Sequence, residues 1–313
     1  MKHLSLKLKF LLIVILLVLP TAVATGLLLR ESSEAVEVTQ QELQGSQYLQ
    51  LLASLNLALG DKFATVASSV VKNRDNHAAY TNNVDTRIKD LLEAINALEL
   101  PIAHHPVIRD SWEETFRYIQ RAMATVPSKK LDDILVIDAH FYRAMTAVYE
   151  HMQRVGDESL LSVDSRLASL YLADSFQQKL PQTLLQLQRF RTIFSEKTGY
   201  AYFEENRLYQ FQIDKAAKQQ FHALNKAFEY NPALVEQLEA LSQAFASSLR
   251  LTLEIADNQL KSSNLFLLDA VGESIEKTLL HGRLLSDQIN VSLNKLLEAV
   301  SYTHLTLPTI LLV

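Results

Sequence analysis

Cysteine is absent from the 313 residues. That excludes disulfides, thiol nucleophiles and thiolate-held metals, so an exported domain of this composition rests on its apolar core alone. Glycine and proline are scarce, seven of each. So few are at odds with a turn-rich β fold and point to long helices with few connections. No nucleophile elbow, glycine-rich phosphate loop or His-Glu-x-x-His occurs, and nothing points to a catalytic triad. The region is read as non-catalytic, with no cofactor and no metal. Lys and Arg number 30 against 35 Asp and Glu, a formal net charge of −5 without a basic block. Nucleic acid is therefore not an expected partner.

Apolar surface is abundant: 48% of residues are hydrophobic and only 21% charged. The densest stretch begins at Leu8 and ends at Leu29. From Phe10 it reads FLLIVILLVLPTAVATGLLL without a charge, and a helix of that length covers about 30 Å of hydrocarbon. Lys2 and Lys7 precede it, Lys9 is its second residue, and Glu31, Glu34 and Glu37 follow. The lysine excess puts the N-terminus in the cytoplasm. Residues 1–30 then form a cytoplasmic start and a membrane anchor, with residues 31–300 on the periplasmic side of a bacterial inner membrane. A competing reading is a cleaved signal peptide ending near Ala22-Val23-Ala24. The apolar run continues past that site through Gly26-Leu27-Leu28-Leu29, which favours the uncleaved anchor.

Beyond the anchor the expected fold is all-α. Leu43, Tyr48, Leu51, Leu52, Leu55, Leu59, Phe63, Val66 and Val70 recur at three- and four-residue spacing, predicting a long helix over 32–71. Further helices are expected over 84–98, 107–124 and 131–154, with Gly156 as the last one's C-terminal stop. The second half starts with Asp164 capping a helix over 165–196 that Pro181 kinks. Helices over 204–230, 233–260 (entered through Asn231-Pro232) and 264–300, capped by Ser263, complete eight. Tyr48-Leu49-Gln50 and Tyr171-Leu172-Ala173 fall at comparable points of the two halves. The chain is thus read as two tandem or stacked four-helix modules, 31–156 and 157–300, with one irregular all-α domain as the alternative. The last residues, SYTHLTLPTILLV (301–313), have no helical period and no charge. They resemble a translated sequencing-adapter read-through, so they are read as non-native and the chain as a fragment cut within its last helix.

Four segments resemble the periplasmic sensing region of bacterial methyl-accepting chemotaxis proteins. They are Glu42-Leu43-Gln44-Gly45-Ser46-Gln47-Tyr48-Leu49, residues 164–199, Ala227-Phe228-Glu229-Tyr230-Asn231-Pro232-Ala233-Leu234, and residues 270–299. The resemblance spans residues 1–300, and the same kind of region is also joined to histidine kinases and diguanylate cyclases. It implies a homodimeric sensor that detects a small molecule, an organic acid or an amino acid, and signals by helix displacement to cytoplasmic partners. The last helix would lead toward a second membrane span. An anchored helical binding protein without cytoplasmic output is the reading from another class.

Receptors of this type often hold small anions with arginine. On that ground Arg166, Arg189 and Arg191 are the candidate ligand-binding cations, since guanidinium suits carboxylate through paired donors. Arg189 and Arg191 point about 200° apart on a helix, so only one can face a shared pocket. Tyr171 and Asp174, one turn apart, could complete it. His104-His105, between Pro101 and Pro106, read as loop histidines, because adjacent residues chelate poorly. His140 and His151 read as helix-face residues.

Overall fold

The computed structural model describes residues 6–72, 78–125, 132–164, 166–196, 203–262 and 267–311. Among them the regular structure is helical, with no strand, as the scarcity of glycine and proline requires. Helix α1 spans Leu6–Lys72, α2 Ala78–Asn96, α3 Pro106–Met123 and α4 Asp132–Glu158. Helix α5 (Leu167–Asp174) passes through a π turn, Ser175–Lys179, into α6 (Leu180–Glu196). Then come α7 (Phe203–Tyr230), α8 (Ala233–Ser262) and α9 (Leu267–Leu311). Counting α5, the π turn and α6 as one rod, eight rods are described.

The apolar N-terminal stretch and the first long helix are one element. Helix α1 runs unbroken for 67 residues, about 100 Å at 1.5 Å per residue. Pro20 sits inside it. Among the described residues α1 is the one helix long and apolar enough to cross a membrane, with a window of mean hydropathy 1.8. Nothing packs on that window: Leu16, Leu17, Leu19 and Leu27 are all exposed. From Tyr48 onward the same helix is core, with Leu49, Leu52, Leu55, Leu59 and Phe63 sealed from solvent.

Where the sequence predicts a kink at Pro181, the helix carries a π turn just before it. Proline has no N–H for the carbonyl four residues back, and its ring clashes with that carbonyl. Gln177, four residues before Pro181, lies in the widened turn, and the helix continues. Asn231 enters α8 as expected, its Oδ1 accepting from the Ala233 N–H at 3.3 Å. Pro106 opens α3 at the first helical position, where a missing N–H costs nothing. The predicted Ser263 cap lies outside the described residues.

Two expectations are corrected. Gly156 does not stop α4, which continues to Glu158. A Cβ at Gly156 would collide with the Gln177 side chain, so this glycine marks a close helix crossing. The chain instead turns at Leu160, which takes a left-handed conformation with φ 64°. The last helix also passes Val300: α9 continues to Leu311, although residues 301–313 had suggested no helical period.

The core brings both halves of the chain together along α1, which packs against α2, α4, α6 and α9. Phe63 of α1 stacks on Phe141 of α4 at 5.5 Å. Ser46 of α1 donates to Asn290 Oδ1 of α9 at 2.6 Å. Further up α1, Gln188 of α6 donates to the Leu57 carbonyl at 3.2 Å. As residue numbers rise along α1 they fall along α9, so the two helices run antiparallel. These contacts between the halves are lateral and recur along α1, so succession in sequence is not an end-to-end order in space.

Candidate functional site

The five candidate ligand residues occupy four places, set by the helix faces that carry them. Arg191, near the end of α6, points into the seam with α1 and α9. Its Nη2 donates to the Gly60 carbonyl at 3.0 Å, and Nη1 reaches Glu276 of α9. Asp61 Oδ1 lies 3.5 Å from it, and Asp61 Oδ2 is 2.6 Å from Arg283. Arg191 is 9% exposed and spends its charge inside the bundle.

Arg189 faces the other way, as the 200° offset requires. Its guanidinium lies 3.9 Å from the Tyr142 ring and 5.2 Å from Tyr209, with Asp138 at 3.5 Å. This sandwich ties α6 to α4 and α7 through the negative faces of two rings.

Tyr171 and Asp174 do meet. Together with Lys179, Lys218, Gln219 and His222 they line an open groove of about 280 Å³ between α5, the π turn and α7. Tyr171 stacks on Tyr230, 5.9 Å away and 5° from parallel. Burial raises the Asp174 pKa, and Lys179, 3.6 Å away, pulls it back down. The groove therefore offers two ammonium groups, an imidazole and a phenol beside one carboxyl, a set suited to a small anion with a donor group.

Arg166 lies in a second, larger groove of about 500 Å³ between α1, residues 160–164 and α9. It is engaged already: its Nε and Nη2 donate to Asp164 at 3.0 and 2.8 Å. Nη2 also reaches Glu42 at 3.4 Å, and Nη1 the Leu296 carbonyl at 3.4 Å. The Glu42 carboxyl is buried, and that burial, with Asp164 beside it and Arg166 opposing, lifts its pKa to about 7. Thus the candidates form one pair, Tyr171 with Asp174, and three separate arginine sites.

Sequence reasoning missed Glu42 and Asp164 as partners of Arg166. The signal was present, because Glu42 falls within a stripe whose next members, Leu49 and Leu52, are core. It also placed His151 on a helix face, whereas His151 is fully buried. Its Nε2 meets the Tyr48 hydroxyl at 3.0 Å and its Nδ1 the Ser111 hydroxyl at 2.9 Å. Arg154 donates to Ser111 at 2.6 Å. Burial, with Arg154 nearby, brings the His151 pKa down to about 3. The spacing of Ala144, Val148, His151, Met152 and Val155, all buried, is the helical period that could have found it. His105 of the Pro101–Pro106 connection sits 3.2 Å from Glu158, and His140 Nδ1 2.9 Å from the Thr125 hydroxyl.

No family model, no curated protein and no solved structure matches the chain.

Proposed function

We propose that this chain is the extracytoplasmic sensing region of a transmembrane receptor, of the kind that feeds a chemotaxis pathway. One observation carries the reading: α1 leaves an unpacked apolar segment and enters the core as the same unbroken helix, with α9 antiparallel against it. A change in packing among α4, α6 and α9 then has a rigid element on which to act, as signalling by small shifts along packed helices needs. The groove at Tyr171, Asp174, Lys179, Lys218 and His222 is the proposed ligand site, for an organic acid or an amino acid. A ligand there biases the bundle by no more than its differential affinity for two packings. Homodimerisation and a periplasmic setting belong to the same proposal.

The test joins residues 1–300 to the cytoplasmic half of a chemoreceptor of known output, in cells lacking other receptors. Swimming bias is followed while organic acids and amino acids are added one at a time. A response lost on Lys218→Ala supports both the function and the groove. Silence toward every compound, with the fusion present in the membrane, removes the chemotaxis reading.

A further inference from the structure

We propose that Glu42 is a proton-operated latch between α1 and the turn joining the two halves of the chain. With a proton it holds the turn against α1, and without one the contact opens. The groove lined by Thr39, Glu42, Leu160, Asp164, Arg166 and Val300 is where the outgoing helix, the mid-chain turn and the returning helix meet. Glu42 lies thirteen residues beyond Leu29 on the same helix, about 20 Å along it.

The two carboxyls of the cluster are provided for unequally. Asp164 accepts from the Arg166 backbone N–H at 2.8 Å, from two guanidinium nitrogens and from the Ser169 hydroxyl. Those donors occupy the acceptor sites of the Asp164 carboxylate. Glu42 is only 2% exposed and has one long contact to the same, already committed, guanidinium at 3.4 Å. Two acids thus share one cation, and Glu42 is the one that takes the proton. Neutral, it gains an O–H donor beside Asp164. Ionised, it is a buried second anion with too little compensation, which weakens the contact that holds it.

The charged surroundings favour this role. The turn presents Asp164 and Arg166, and α1 adds Glu34. Helix α9 contributes the Leu296 carbonyl and Val300, with no charged side chain lining the groove. The last turn of α4 holds Glu158 in its pair with His105. The groove opens to solvent beside Arg166, whose side chain is 32% exposed against 2% for Glu42. The Glu42 pKa, about 7, falls where the surroundings of a cell envelope vary. The value of the latch to a sensor rests on the function proposed above; the latch itself does not.

Because the chain has no cysteine, spin labels can be placed cleanly at Gln47→Cys on α1 and Leu167→Cys on α5, both exposed positions. Distances are measured on the full chain in detergent micelles at about pH 5.5 and about pH 8.5. The expected result is a longer, broader distribution at the higher pH, with a midpoint near 7. Glu42→Gln, a neutral isostere, should keep the low-pH distribution at both. An unchanged distribution in the parent, or the same pH response in Glu42→Gln, overturns the proposal. Infrared spectra of the parent supply a check that needs no variant at position 42. A buried carboxylic-acid band present at the lower pH should be gone at the higher, and its absence at the lower pH also overturns the latch. A silent receptor fusion leaves these readings untouched, so the two proposals fail separately.

Discussion

Asp61 Oδ2 of α1 accepts a 2.6 Å bond from Arg283 of α9, and this pair fixes the register of the two antiparallel helices. The carboxylate is 12% exposed, and the second cation at 3.5 Å, Arg191, is 9% exposed. Removing one partner of a buried ion pair costs about 3–5 kcal/mol, because a charge is left uncompensated. Asp61→Ala should therefore cost about that much, toward the lower end because Arg283 is 25% exposed. The double change Asp61→Ala with Arg283→Met should recover part of it by removing one stranded charge. Thermal melts of the full chain in detergent read both. A loss under about 1 kcal/mol for Asp61→Ala would mean that the pair behaves like a surface bridge.

His151 makes the bundle sensitive to acid. Its folded pKa, about 3, lies below the ordinary 6.5, so the unfolded chain binds the extra proton first. Stability from this group is complete above about pH 6.5 and is lost as pH falls toward 3. The full loss is on the order of 5 kcal/mol, from about 1.4 kcal/mol per pKa unit. Glu42 has the opposite sign. Its folded pKa is raised from 4.5 to about 7, so stability from its neutral form is complete below about pH 4.5 and declines as pH rises through 7. The two trends overlap and partly cancel, so the test uses the Glu42→Gln background. There the melting temperature should fall steadily from about pH 6.5 down to about pH 4, and adding His151→Gln should flatten the slope. An unchanged slope would place the acid sensitivity elsewhere.

The helices were legible because their signal is local. The stripe from Leu43 to Val66 and the Asn231-Pro232 entry into α8 depend on spacing and on a cap, and both needed no knowledge of neighbours. Gly156 was misread because a glycine can serve a turn or a close crossing, and only the position of Gln177 decides which. Arg166, Arg189 and Arg191 were recognisable as cations on one rod, and their divergence followed from 100° per residue. Their partners were not recognisable. Asp61, Glu276, Tyr142 and Glu42 lie more than 45 residues from the arginines they meet, Tyr209 lies 20 from Arg189, and nothing in local pattern pairs them. The groove at Tyr171 and Asp174 was half visible, because its other wall comes from α7.

The anchor reading makes a quantitative demand on Leu16. That side chain is 78% exposed and nothing packs on it, so its replacement leaves the bundle core untouched. At the centre of a spanning helix Arg costs about 2.5–3.5 kcal/mol, whereas Leu is favourable by a few tenths. Leu16→Arg should shift the chain from the membrane fraction toward the soluble or degraded fraction, while Leu16→Ala should not. Alkaline washing of membranes followed by immunodetection measures the partition. Equal retention of both variants would mean that residues 8–29 do not sit across a bilayer.

Two glycines of α9 should respond oppositely to the same substitution. Alanine improves a helix interior by up to about 1 kcal/mol over glycine, by restricting the unfolded chain and raising propensity. At Gly272 a Cβ meets nothing within 4 Å, so Gly272→Ala should stabilise by that amount. At Gly282 a Cβ would run into Leu184 of α6 and come within 3.1 Å of a Phe245 ring carbon of α8. Phe245 is sealed in the core and cannot swing away without moving its neighbours. Overpacking of this kind costs about 1–3 kcal/mol, which exceeds the propensity gain, so Gly282→Ala should destabilise. Melting temperatures of the two single variants and their double give a direct reading, and the double should be the sum, since the positions lie almost three helical turns apart. If both variants gained stability, α9 would not approach α6 and α8 as closely as the glycine at 282 implies. The seam that holds α9 in the bundle would then be looser than its ion pairs require.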